Sequence, residues 1–222
     1  MSGGGAQLPL DLRHRTAMGR EDFLVSPSNA EAVKWIDLWP NWPSPALVLV
    51  GPPGSGKTHL AQVWRARTGA AVLAHGGAPE PAAEASAVVV DDADGRDDDE
   101  GLFHLYNALA SSHGHVLFTS AVPPARWAGR LRDLVSRLSA APTVRIQAPD
   151  EPLIAAVMAK MFADRQLSVA PEVLAFLVAR MERSFGEARA LVAALDAASL
   201  SAKRAVTLPL ARDVLAARGQ EI

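Results

Sequence analysis

Apolar positions change their period along the chain, and the changes predict its elements. Ala46-Leu47-Val48-Leu49-Val50, Ala87-Val88-Val89-Val90 and Val116-Leu117-Phe118-Thr119-Ser120 are short, nearly unbroken apolar runs. Such runs suit strands covered on both faces, as in a parallel sheet. Ala70 to Ala74 is a further strand, and Thr143-Val144-Arg145-Ile146 alternates as a last one. Helical spacing fills the gaps. Ala32, Val33, Ile36 and Trp39 share one face of a helix that Ser28 or Asn29 can cap. Leu102, Leu105, Tyr106 and Leu109 do the same between Asp98 and Ser112. From Pro149 only helices follow: about Glu151 to Gln166, Glu172 to Arg183, Gly186 to Ala202, and Leu208 to Arg218 behind a Thr207 cap. Strand–helix alternation with an all-helical end predicts an α/β base, its parallel sheet flanked by helices, and a C-terminal all-α lid. The expected boundaries are a tail at 1–20, a base at 21–148 and a lid at 149–222.

The first strand runs into Gly51-Pro52-Pro53-Gly54-Ser55-Gly56-Lys57-Thr58, and Thr58 to Trp64 reads as the helix leaving it. A Gly, four residues, then Gly-Lys-Thr is the phosphate-loop pattern. Glycines let backbone N–H groups turn toward phosphate oxygens, and the helix N-terminus adds positive potential. Lys57 brings a point charge to the phosphates, and the Thr58 hydroxyl suits Mg²⁺. The strand ending in Asp91-Asp92 delivers carboxylates to the same sheet edge, Asp91 for Mg²⁺ and Asp92 for a water. Thr119 and Ser120 end the next strand, where either can meet a phosphate or merely cap a turn. Asp94-Gly95-Arg96-Asp97-Asp98-Asp99-Glu100 fails the calcium-loop template and reads as a solvated loop leading into a helix. Arg126, Arg130, Arg132 and Arg137 cluster; one can point at a phosphate, or all can be surface charge. Arg189 is the lid arginine best placed to meet phosphates.

Composition narrows partners and setting. Net charge over 222 residues is −2, so no global basic field draws the chain to nucleic acid. With no cysteine, disulfides and thiolate metal sites are excluded, and a cytoplasmic setting is expected. Neither a signal peptide nor an apolar stretch of membrane-spanning length is read. In the tail, Gln7-Leu8-Pro9-Leu10-Asp11-Leu12 places leucines at alternate positions of an extended segment. That stripe either docks in a partner's apolar pocket or folds back on its own domain.

Gly-x-x-Gly-x-Gly-Lys-Thr-His-Leu at 51–60, Val-Asp-Asp at 90–92, Ser-Arg-Leu at 136–138 and a four-helix lid together resemble the AAA+ domain of the replication initiator family DnaA. The chain ends after the lid, without a segment for that family's DNA-reading domain, so no sequence-specific DNA binding is expected. Gln7, Leu8, Leu10 and Leu12 are similar to the motif that binds the replicative sliding clamp. A tail of that kind before a lone AAA+ module resembles the family's Hda-type regulators. The resemblance implies a cytoplasmic negative regulator of replication initiation that binds ADP, or ATP, with Mg²⁺. It implies docking on the DNA-loaded clamp and stimulation of ATP hydrolysis by DnaA; a homo-oligomer is left open. By position Arg137 matches the arginine finger acting in trans, Arg189 the lid arginine that senses nucleotide, and Thr119 and Ser120 the strand-end sensor. Asp91-Asp92 stands where many relatives have Asp-Glu, and Ala121 where DnaA has an acid. Both departures imply little or no ATPase of its own. The alternative is an autonomous AAA+ ATPase acting as a helicase loader or DNA-remodelling factor.

Overall fold

A computed structural model describes residues 24–74, 76–77 and 85–219. The tail motif and most of the Gly/Pro-rich connection before Ala87 lie outside the described residues. In chain order the elements are α1 (Ala30–Leu38), β1 (Ala46–Val50), α2 (Lys57–Thr68), β2 (Ala71–Val72), β3 (Ala87–Val90), a 3₁₀ turn (Ala93–Gly95), α3 (Asp99–Ser111) and β4 (His115–Ser120). A second 3₁₀ turn (Pro124–Arg126), α4 (Arg132–Ala140) and β5 (Thr143–Arg145) complete the α/β part. Then come α5 (Glu151–Asp164), α6 (Pro171–Val178), α7 (Phe185–Ala202) and α8 (Leu208–Ala217).

The strands form one sheet in the order β2-β3-β4-β1-β5, every pair parallel. The pleat explains the unbroken apolar runs. Ala46, Val48 and Val50 of β1 face one core with Val88, Val90, Val116 and Phe118, under α3 and α4. Leu47 and Leu49 face the opposite core with Val89 and Leu117, under α1 and α2. Trp64 is fully buried there; Trp42 stacks on it at 5.3 Å and Trp39 meets it edge-on at 6.1 Å. The tryptophans of α1 and its exit are therefore core and rim. A third core draws only on α5–α8 and their connections, among them Met158, Phe162, Leu177, Leu191, Leu195 and Leu215.

Local chemistry departs from expectation in three places. Asn29 stands at the N-cap of α1, but its side chain turns backward: Oδ1 accepts from Ser26 N–H at 3.0 Å and Nδ2 donates to Leu24 O at 3.0 Å. It fixes the chain entering the helix instead of capping it. Thr207 likewise sits at the N-cap of α8 without a side-chain cap bond. The helix expected to reach Arg183 stops at Val178. There the Arg180 and Met181 N–H groups both bond Leu177 O, and the chain turns toward the phosphate loop. Asp98, Asp150 and Ser184 do cap α3, α5 and α7, each accepting a first-turn amide.

Candidate functional site

β1, β3, β4 and β5 are parallel, so their C-terminal ends share one edge of the sheet, where open α/β folds bind ligands. β1 ends in the Gly51–Thr58 loop. A Cβ on Gly51 would lie 2.3 Å from Ile146 O, so that backbone approach admits only glycine. Gly54 and Gly56 adopt φ of +71° and +98°, which turn the loop into the start of α2. Lys57 Nζ donates to Gly51 O at 2.7 Å and Pro52 O at 3.0 Å, folding its charge over the loop. Burial lowers its pKa from the ordinary lysine value, opposed by the charges of Asp94, Asp92 and Asp91. Ser55 is buried, and its hydroxyl has no hydrogen-bond partner among the described residues.

Asp91 gathers the neighbouring strand ends. Its Oδ1 accepts from Thr58 Oγ1 at 3.2 Å and from Thr119 Oγ1 at 2.5 Å, and the Thr119 oxygen accepts from Asp92 N–H at 2.9 Å. Ser120 points the other way along the pleat. It donates to Val122 O at 2.5 Å and is met by Trp127 Nε1 at 3.3 Å. Thr119 thus faces Asp91 and Ser120 the following turn. Asp92 has a left-handed backbone, φ 53°, and its carboxylate lies over Gly95 rather than within the Thr58–Asp91–Thr119 group.

The C-terminal helices meet this loop directly. Phe185 N–H donates to Gly54 O at 3.0 Å, and Ser184 Cβ would be 2.5 Å from a Cβ on Gly54. The Phe185 ring lies 3.1 Å from the Cβ position of Gly56. Arg189 is exposed on α7, one turn beyond Phe185. Arg137 is exposed on α4, with its guanidinium over the Tyr106 ring at 5.8 Å.

Four contributors are illegible in the sequence. Arg96 is buried and donates to Asp91 O, Ala74 O and Leu73 O at 3.2, 2.9 and 2.7 Å, tying β2 to β3 beside Asp91. Burial lowers its pKa, opposed by Asp91 and Asp92. Asp94 accepts from Ala121 and Val122 N–H, and Ser184 and Phe185 close on the loop. The one available signal is a lone arginine inside an acidic run. So the Asp94–Glu100 segment is only partly the solvated loop expected.

The residues fit a nucleoside diphosphate or triphosphate with Mg²⁺: a loop closed to any Cβ at Gly51, a buried unspent hydroxyl at Ser55, a lysine, and a Thr58–Asp91 pair. No group of three or more His, Cys, Asp or Glu among the described residues could hold a metal. Mg²⁺ does not need one, since it takes one or two protein oxygens and completes its shell with phosphate and water.

A family model described as "Hda, lid domain" matches residues 151–215. The chromosomal replication initiator protein DnaA of Geobacter sulfurreducens is 30% identical over 116 residues, 52% of this chain and 26% of that protein, so the match spans about a quarter of the relative. Domain III of the Thermotoga maritima replication initiation protein DnaA superposes with TM-score 0.75 at 20% identity, over 88% of this chain and 94% of that one. AMPPCP-bound DnaA from Aquifex aeolicus superposes with TM-score 0.64 at 19% identity, over 77% and 62% of the respective chains.

Proposed function

We propose that the chain is a Hda/DnaA-like AAA+ protein and an adenine-nucleotide-binding negative regulator of replication initiation in the cytoplasm. On this reading it docks on the DNA-loaded sliding clamp through Gln7, Leu8, Leu10 and Leu12 and stimulates ATP hydrolysis by DnaA. Residues 21–148 form the nucleotide-binding base and 149–222 the lid. The observation that carries the nucleotide site is the Asp91 carboxylate shared by Thr58 and Thr119 beside a glycine loop onto which the lid helix α7 closes.

Within that site the loop N–H groups and Lys57 bind phosphate oxygens, and Thr58 and Asp91 hold Mg²⁺. Bound Mg²⁺ supplies positive charge that offsets the phosphates. Thr119 orients Asp91 and accepts the Asp92 amide, and Arg189 approaches from the lid. Asp92 aims its carboxylate away from the Asp91 group, in keeping with weak or no hydrolysis of the chain's own nucleotide. Arg137 acts on another subunit: exposed on α4, its guanidinium offsets charge on the phosphoryl group of DnaA-bound ATP, an effect of about 10³–10⁵ in rate for such fingers. That a DnaA of the same fold from Aquifex aeolicus is AMPPCP-bound supports a nucleotide-binding reading.

The test is hydrolysis of DnaA-bound ATP with DNA-loaded clamp present. Wild-type protein accelerates it; Arg137→Ala retains clamp and nucleotide binding but not the acceleration; Gln7→Ala loses clamp binding. Acceleration undiminished in Arg137→Ala places the finger elsewhere, and a wild type that neither binds clamp nor accelerates hydrolysis removes the reading.

A further inference from the structure

The acidic run after β3 connects two parts of the molecule that the sequence keeps apart. Asp94 Oδ2 accepts from Ala121 and Val122 N–H at 2.9 and 3.3 Å, just beyond Thr119. The backbone carbonyl of Asp94 is in turn the acceptor for Arg130 Nη1 at 3.2 Å. Arg130 Nε donates to Asp99 Oδ1 at 2.5 Å, and the two side chains form an ion pair that is mostly buried, 13% and 16% exposed. The other oxygen of Asp99 accepts from Leu131 N–H at 2.7 Å. Leu131 is the N-cap of α4, the helix that carries Arg137. Burial pushes the Asp99 carboxyl up, but the Arg130 hydrogen bond, the Leu131 amide and the Arg130 charge outweigh it and hold the group below the usual aspartate value.

We propose that Arg130 is a positioning residue for Arg137: it fixes the start of α4 to the turn closing the phosphate site, so that occupancy of that site sets how Arg137 is presented. This rests on the nucleotide-site reading above. One planar guanidinium reaches both Asp94 O and Asp99, a fork that a lysine ammonium on a single stem cannot reproduce. Binding at Lys57, Thr58 and Asp91 stiffens Asp91 and Thr119. The strand exit after Thr119 is held by Asp94, and Asp94 is held by Arg130. Asp94, Asp99 and the Leu131 amide therefore move with α4 or not at all. The other arginines of the cluster, Arg126 and Arg132, are exposed.

Hydrogen exchange of the full chain, with and without ADP and Mg²⁺, tests this directly. In wild type, nucleotide slows exchange both in the loop at 51–58 and in the helix at 131–140. In Arg130→Ala the loop is still protected and the nucleotide-dependent protection of 131–140 is lost. Arg130→Lys keeps a charge beside Asp99 and gives the same result, which decides the matter should the alanine variant not fold. A purely structural role would raise exchange at 131–140 equally with and without nucleotide. Stimulation of DnaA hydrolysis should fall about 10²-fold in Arg130→Lys, as for a finger misplaced by an ångström. Protection at 131–140 that persists in Arg130→Lys, or is absent from a wild type protected at 51–58, overturns the proposal. No protection at 51–58 in wild type removes the nucleotide site and the proposal with it.

Discussion

Replacing Gly54 by alanine tests whether the lid helix rests on the phosphate loop. Two penalties arise at one position. At φ +71° an L side chain is strained, by about 1–2 kcal/mol. The new methyl would also sit 2.5 Å from Ser184 Cβ, well inside the ~3.5–4.0 Å of carbon–carbon contact. Retreat by about an ångström costs about 1–3 kcal/mol, as for overpacked sites. The sum, about 2–5 kcal/mol, lowers Tm by about 4–20 °C for a chain of this size. Ser184→Gly separates the two parts. Ser184 caps α7 through Glu187 N–H at 3.1 Å, and glycine at an N-cap costs only a few tenths of a kcal/mol. In Gly54→Ala/Ser184→Gly the steric part, about 1–3 kcal/mol, should return while the backbone strain stays. Denaturant melts of the four proteins give the coupling. Additivity to within about 0.5 kcal/mol would refute the contact between Ser184 and the loop.

Three further outcomes follow from the same geometry. Thr119→Val removes the hydroxyl joining Asp91 to the Asp92 amide and should cost about 1–3 kcal/mol and weaken Mg²⁺-dependent nucleotide binding; unchanged Mg²⁺ dependence contradicts it. Arg96→Ala removes a donor from Asp91 O, Leu73 O and Ala74 O, of which Ala74 O keeps the Gly77 N–H at 2.9 Å; for even one buried acceptor left unmatched the loss is about 1–3 kcal/mol, and a melt within error of wild type would count against the tie. Burial lowers the pKa of His115, whose ring meets those of Trp39 and Trp42 in T-shaped contacts, against a hydrogen bond with the Pro40 backbone that raises it. A depressed value means the unfolded chain takes the proton first, so this contribution is full above about pH 6.5 and is lost as pH falls toward the lower folded value. His115→Phe should flatten the stability profile below that pH, and an unchanged slope would show that another group governs it.

Much of the site is legible in the sequence because its chemistry is local. Gly51 to Thr58 is contiguous, and β1, β3 and β4 announce themselves by apolar runs that both faces of the sheet require. Asp91 follows its strand directly. Tertiary pairing carries the rest. Thr119 and Ser120 are equivalent until the pleat sends one hydroxyl to Asp91 and the other to Val122 O. Asp94, Arg96, Asp99 and Arg130 form one charged run and a separate arginine until folding brings Leu73, Ala121 and Leu131 beside them. Asn29 and Thr207 have the right identity and place for helix caps, yet neither side chain makes the cap bond. For Asn29 the alternative acceptor and donor lie upstream at Ser26 and Leu24, which cap preference alone does not register.

The central claim is that the glycine loop, Asp91 and the helix docked on them form an adenine-nucleotide site. Equilibrium titration of the purified protein with a fluorescent ADP analogue and Mg²⁺, alongside Lys57→Ala, tests it most directly. Saturable binding that the alanine variant loses is the predicted result; no binding by wild type, or equal binding by both proteins, contradicts it.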